Sequence, residues 1–224
     1  MDRPDIQYPT KEVCRGMADP DRGDLKKLKR LARYLKGKPR TVSVFRYQGR
    51  MEEFEGFSDS DWAGCRRTAR STSGGALMRG SHCLKTWSTT QKSVTLSSGE
   101  AELVAAVKMS GELIGMCQLS YDWGVEMGAR LLVDSSAAIG VVNRKVNGRL
   151  SHVRVGMLWI QEKVEDGAVS VQKVLGTENP ADLMTKNLAA SALEKYMKML
   201  TQEGRDGRAE KSLTLVKMEE EKKT

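Results

Sequence analysis

The chain has 224 residues, 39% of them hydrophobic, with 37 Lys and Arg against 29 Asp and Glu, a formal charge of +8 and a pI near 9.3. That length buries one substantial core and leaves little room for a second at about 100–200 residues per domain, and the basic balance favours polyanionic partners. No apolar run approaches the roughly 20 residues of a membrane span and MDRPDIQ is no signal peptide, so a reducing compartment is expected; four cysteines (Cys14, Cys65, Cys83, Cys117) without a CxxC pair argue against a disulfide framework or a zinc site.

Residues 1–41 carry turn signals at Asp19-Pro20-Asp21 and Arg22-Gly23-Asp24, then eight Lys or Arg and no acid from Lys26 to Arg40. Leu25, Leu28, Ala32 and Leu35 recur there at helical spacing, which predicts an amphipathic helix packed through those four and closed by Gly37 and Pro39. Its cations are either a solvated face or a surface for phosphates. Strands are predicted at 41–47 and 51–58 about a Gly49-Arg50 turn, then a hairpin of 73–79 and 82–88 about Gly80-Ser81. A helix over 98–123 leads to a buried strand at 129–133, helices at 135–145 and 151–165, a strand at 168–174 and a short helix after Asn179-Pro180. Antiparallel strands followed by β-α-β units predict an α/β fold with a mixed sheet covered by helices. A helix at 190–200 precedes a charged stretch, 201–224, that reads as a disordered tail.

Four acids flank these apolar segments: Asp59 in FSDSDWAG, Glu102 in SSGEAEL, Asp134 in LLVDSSAAI and Asp182 in NPADLMTK. Carboxylates repel one another, so a fold that gathers several usually holds them with hard divalent cations. Asp59 shares a strand face with Phe57 and projects over the sheet's end, but Asp61 has the same parity, and either suits a turn before Trp62 and Gly64. Ser97 and Glu100 have capping-box spacing, which leaves Glu102 to open the stripe of Ala106, Met109, Leu113 and Met116. Asp134 ends a buried strand, where open α/β sheets bind ligands, and Ser135 is an alternative N-cap. Asp182 sits in a first helical turn, where any acid is favoured.

Several blocks in order resemble the ribonuclease H domain of Ty1/copia-type LTR retrotransposon polyproteins. FSDSDWAGCRRTARSTSGG is similar to that family's Y-S-D-A-D-W-A-G and R-x-S-T-S-G, and LKTWSTTQKSVTLSSGEAELVA to its W-x-S-K-K-Q-x-x-V-x-x-S-S-x-E-A-E-Y. VDSSAAI resembles D-N-x-S-A-I, ENPADLMTKNL resembles A-D-x-x-T-K-x-L, and MDRPDIQY with RLARYLKGK resembles the end of the preceding reverse transcriptase. The resemblance implies an RNase H-like fold, a five-stranded mixed sheet of three antiparallel then two parallel strands with helices on both faces. It divides the chain into a reverse transcriptase remnant (1–41), a ribonuclease H domain (42–188) and a C-terminal helix and tail (189–224). It favours Asp59 over Asp61 and Glu102 over Glu100, and makes Asp59, Glu102, Asp134 and Asp182 both catalytic residues and ligands of two Mg²⁺ ions, for which Mn²⁺ can substitute. The implied substrate is the RNA strand of an RNA–DNA hybrid, the implied partner the rest of the reverse transcriptase, and the implied place a cytoplasmic retroelement particle with access to the nucleus.

Thr90, Gln91 and Ser93, just before the Glu102 helix, are the candidates for reading RNA 2′-hydroxyls, with Arg70 and Lys92, beside Arg66 and Arg67, for phosphates. Trp62 and Trp87 are expected in the core. The family's K-H-I-D-I-R-Y-H appears here as SHVRVGML, keeping His152 alone, and no histidine lies between Trp159 and Asp182, where many such enzymes carry a mobile one. That departure, with no Y-x-D-D polymerase motif in the chain, keeps a non-catalytic hybrid-binding or structural module as the alternative. An integrase or transposase fits less well, because here the Glu comes second among the acids.

Overall fold

The computed structural model describes residues 3–143 and 154–207. Helices α1 (Pro4–Cys14) and α2 (Arg22–Gly37) lead to a short strand β1 (Arg40–Ser43). Strands β2 (Glu53–Asp61), β3 (Thr72–Arg79) and β4 (His82–Thr90) follow, then α3 (Ser98–Asp122), β5 (Gly128–Val133), α4 (Ser136–Val142), α5 (Arg154–Glu165) and β6 (Ser170–Lys173). A 3-10 turn (Pro180–Met184), α6 (Ala190–Met199) and β7 (Gln202–Arg205) complete the order.

The main sheet has the order β4-β3-β2-β5-β6. β2 pairs antiparallel with β3 and β3 with β4, whereas β5 runs parallel to both β2 and β6. Three antiparallel strands followed by two parallel ones are the RNase H-like arrangement that the resemblance implies. One face is covered by α3, with α4 and α5 beyond it. There Leu103, Met109 and Leu113 of α3 pack with Phe54, Leu131 and Ile160. The other face is covered by the 3-10 turn and α6, where Met184, Tyr196 and Leu200 pack against Ala76 and Met78.

Small residues in β3 let both layers approach. A Cβ on Gly74 would lie 2.7 Å from Met184 Cβ and 2.7 Å from Thr185 Cγ2, and one on Gly75 would meet Met109 Cε at 2.5 Å on the opposite face. α1 lies against β4 and the 3-10 turn: Gln7 Nε2 donates to Thr86 Oγ1 at 2.7 Å and Lys11 Nζ to Thr72 Oγ1 at 2.5 Å.

Several expectations are corrected. The strand expected at 41–47 is only Arg40–Ser43, and it pairs antiparallel with β7 in a separate two-stranded sheet. The first residues of the expected disordered tail are therefore ordered by backbone pairing, a long-range contact that local composition does not encode; residues 208–224 lie outside the described ones. α2 forms, but its packed side is Asp24, Leu31, Tyr34 and Leu35, while Leu25 and Leu28 are exposed. Polar bonds hold that rotation: Tyr34 Oη donates to the buried Asp5 carboxylate at 2.8 Å, and Arg67 Nη2 donates to the buried Asp24 carboxylate at 2.7 Å. Trp62 is 54% exposed, its indole N–H donating to Thr95 O at 3.2 Å, whereas Trp87 is buried as expected. The first residues of the helix expected at 151–165, with His152, lie outside the described residues.

Candidate active site

Register brings the first two strand acids together. β2 and β5 are parallel neighbours with Ser58 opposite Val133, so the next residues, Asp59 and Asp134, leave the same end of the sheet side by side. Ser135 caps α4 by accepting from Ala138 N at 3.2 Å, which frees Asp134 from that duty. On α3, Ser97 accepts from Glu100 N at 3.2 Å, and the Glu100 carboxylate turns back to Leu96 N at 2.6 Å. Glu100 thus tightens the helix start, and Glu102 leans toward the strand ends. Carboxylate oxygens of Asp59, Glu102 and Asp134 all lie within 4.8 Å of one another.

Asp61 takes the structural role. Its carboxylate accepts from the Thr72 backbone N–H in a very short bond, away from the acid cluster. Asp182 lies outside that group of three at this spacing and stands beside Asp59, linked to it through Lys186. Lys186 Nζ donates to Asp59 Oδ1 at 3.3 Å and to Asp182 Oδ1 at 2.5 Å, and Tyr196 Oη donates to Asp182 Oδ2 at 3.3 Å.

The turn carrying Asp182 is anchored from within. Asn179, fully buried, donates through Nδ2 to Ser58 O at 2.9 Å and accepts from Ala181 N at 3.2 Å through Oδ1. The Thr185 hydroxyl donates to Asp59 Oδ2 in a very short bond. Gly74 lies opposite Asp59 in the β2–β3 register, so its missing side chain is what admits Met184 and Thr185 beside that acid.

Burial and mutual repulsion make these acids reluctant to ionise. Burial pushes Asp59 up to about 6, against the pull of Lys186 and with a further push from Asp182. Burial, then the charges of Asp59 and Asp134, push Glu102 up to about 9. Asp134 is raised as well, mainly by burial. Burial opposes the charge of Lys186, but Asp59 and Asp182 outweigh it and hold the ammonium above its usual value.

Oxygen donors at this spacing suit a hard divalent cation, and one detail of the site fits such an ion closely. Glu102 Oε2 is enclosed and has no hydrogen-bond partner. An orphaned carboxylate oxygen at the mouth of an acid cluster lacks the positive partner that its burial demands.

The residues expected to read substrate have different fates. Gln91 is turned inward: its Nε2 donates to Ser73 Oγ at 2.8 Å, Ser60 Oγ at 3.2 Å and Ala101 O at 2.9 Å, fastening β2 and β3 to α3. Its Nε2 is thereby committed to the interior while its buried Oε1 has no partner, an amide serving as an internal cross-link as readily as a surface reader. Thr90 is half-buried and accepts from Arg15 at 2.8 Å. Lys92 and Ser93 are exposed in the loop before α3. Arg70 is exposed on the β2–β3 loop and lines a cavity of about 480 Å³ with Arg15, Lys27, Arg66 and Arg67. Sequence reasoning passed over Lys186, Thr185 and Asn179. The signal was in NPADLMTK: a Lys four residues after an acid pairs with it across one turn.

The mixed sheet, ordered β4-β3-β2-β5-β6, has the RNase H-like fold. No family model matches the chain. It is 30% identical over 197 residues to the retrovirus-related Pol polyprotein from transposon RE1 of Arabidopsis thaliana, covering 87% of this chain and 13% of that protein. It is also 30% identical over 194 residues to the Pol polyprotein from transposon TNT 1-94 of Nicotiana tabacum, covering 86% of this chain and 14% of that protein. The chain is a homologue of the retrovirus-related Pol polyproteins of plant transposons, and it spans about one seventh of the length of these relatives. Among solved structures, LC11-RNase H1, isolated from compost by a metagenomic approach, superposes with a TM-score of 0.49 at 15% identity over 66% of this chain and 99% of that one. Among the described residues no helix is long and apolar enough to cross a membrane.

Proposed function

We propose that the chain is the ribonuclease H portion of a Ty1/copia-type retroelement polyprotein and hydrolyses the RNA strand of RNA–DNA hybrids during reverse transcription. Residues 1–41 are then the end of the reverse transcriptase, 42–188 the nuclease domain, and 189–224 a C-terminal helix and tail. The observation that carries this reading is the meeting of Asp59, Glu102 and Asp134 oxygens within 4.8 Å at one end of the sheet, with Glu102 Oε2 unpartnered.

Asp59, Glu102 and Asp134 would hold one divalent ion, and Asp59 with Asp182 a second. Mg²⁺ bound there supplies Lewis-acid chemistry, making water a competent nucleophile and steadying charge on the leaving 3′ oxygen. The chain's own part is to fix the acids. The Ser135 cap and the Gly74 gap place Asp134 and the Asp182 turn, and the Thr185 hydroxyl and Tyr196 phenol orient Asp59 and Asp182. Hybrid recognition falls to Lys92 and Ser93, exposed in the loop before α3, and to Arg70 with its neighbours on the β2–β3 loop. Polar groups there meet 2′-hydroxyls in a wide minor groove while cations meet phosphates.

The test is cleavage of an RNA–DNA hybrid with Mg²⁺ by the parent chain and by Asp134→Asn. The expected result is cleavage by the parent and a loss of well over tenfold in the variant, each tenfold being about 1.4 kcal/mol of transition-state stabilisation. A parent that binds hybrid without cutting it leaves the hybrid-binding alternative in force, and equal cleavage by both overturns the site assignment.

A further inference from the structure

Lys186 places a positive charge inside the acid group. Its side chain is 42% exposed while its tip is held by Asp59 and Asp182, so it is tethered at the ammonium and open along the stem. Among the described residues no other ammonium or guanidinium hydrogen-bonds Asp59, Glu102, Asp134 or Asp182. The Glu102 and Asp134 side of the group has no such partner, and the orphaned Oε2 lies there.

An ion bound between Asp59 and Asp182 needs the oxygens that Lys186 now occupies, and a divalent cation cannot share them with an ammonium at hydrogen-bonding distance. The two sides of the acid group are therefore unequal. We propose that Lys186 is a built-in counter-cation that fills the Asp59–Asp182 position, so that one divalent ion binds at Asp59, Glu102 and Asp134 while a second enters only when Lys186 moves to a phosphate. The inference rests on the acids being a metal site, as proposed above, and adds an order of filling. A strand phosphate is the partner that compensates the departing ammonium, because it offers charge-assisted hydrogen bonds of the kind that Asp59 and Asp182 supply. Substrate phosphate and second ion would then favour each other's binding, by reciprocal linkage.

The probe is Mn²⁺, counted by electron paramagnetic resonance of the free ion with the full chain, its Lys186→Met variant and its Lys186→Arg variant. The parent and the Arg variant are expected to bind one Mn²⁺ tightly. The Met variant is expected to bind two, the second at least about tenfold tighter than in the parent. Adding a DNA duplex, which supplies phosphate but no RNA strand, should raise the parent's count from one to two. A Met variant with the parent's count and affinities overturns the proposal, as does a parent that binds two equivalent ions without nucleic acid. Either leaves the metal-site reading intact, whereas a parent that binds no Mn²⁺ ends both. Acetylation of Lys186 in the parent, followed by mass spectrometry, covers the case of a Met variant that does not fold. Chain acetylated at Lys186, its side chain now a neutral amide, should bind the second Mn²⁺ at least about tenfold tighter than the unmodified chain, and an unchanged second-site affinity overturns the proposal.

Discussion

Replacing Glu102 by Gln should stabilise the metal-free chain while abolishing its chemistry. The folded state raises Glu102 from 4.5 to about 9, first through burial and then through Asp59 and Asp134. The sign follows from linkage: the unfolded chain releases this proton near pH 4.5, whereas the folded chain keeps it until about 9. Stability from the protonated group is thus fully present below about pH 4.5, falls as pH rises, and stops falling once the folded carboxyl has itself ionised. At about pH 7.5 the interval above the unfolded value is about three pH units, which at about 1.4 kcal/mol per unit sets an upper figure of about 4 kcal/mol.

Gln fills the same volume and does not titrate, so the variant escapes this loss. Urea unfolding in EDTA, followed by circular dichroism, should show the variant about 2–4 kcal/mol more stable than the parent at about pH 7.5 and nearly equal to it at about pH 4.5. For a chain of this size about 3 kcal/mol corresponds to about 6–12 °C in midpoint temperature. Hybrid cleavage by the variant should be lost. A stability advantage of Glu102→Gln that is absent at neutral pH, or the same at both pH values, refutes the assignment of Glu102 as a buried acid without a counter-charge.

Mg²⁺ should stabilise the parent more at about pH 8 than at about pH 5.5, because the ion must displace the protons that Asp59 and Glu102 retain; thermal midpoints with and without Mg²⁺ at the two values check this, and equal gains would contradict it. Gly74→Ala should cost about 1–3 kcal/mol and impair cleavage, since the new methyl meets Met184 and Thr185 on the turn that carries Asp182; a variant with parental unfolding midpoint and parental activity shows that the turn is not set by this approach. Asn179→Ala should cost about 1–3 kcal/mol by leaving Ser58 O buried without its donor, as urea unfolding would record. Gln91→Leu should lower the unfolding midpoint and leave hybrid affinity per folded molecule unchanged, whereas weakened binding by a fully stable variant would restore Gln91 as a substrate reader.

The contrast between Gln91 and Lys186 shows where the sequence is legible and where it is not. Alternating apolar strands, the long α3 pattern and the order of the four acids are local or ordered features, and each survives into the sheet order and into the meeting of Asp59, Glu102 and Asp134. The inward turn of Gln91 depends on two serines and a helix carbonyl that lie 31, 18 and 10 residues away, and the ordering of residues 202–205 depends on β1. Such distant partners leave no periodicity to read. α2 failed differently. Its leucine spacing is compatible with two rotations about the helix axis, and polar bonds from Tyr34 to Asp5 and from Arg67 to Asp24, rather than the apolar count, hold the one observed.

The acid group looks incomplete from the sequence for a related physical cause. A search for chemistry follows the carboxylates, because their repulsion is what a fold must justify. The justification in the metal-free chain is split between two devices: protons retained on Glu102 and Asp59, and the tethered cation of Lys186 between Asp59 and Asp182. Each device can be undone by a stronger one, a divalent ion replacing the protons and a phosphate drawing off the lysine. An acid cluster stabilised in this replaceable way keeps its charges partly answered and leaves Glu102 Oε2 unsatisfied, which is the balance that a site for metal-dependent chemistry requires.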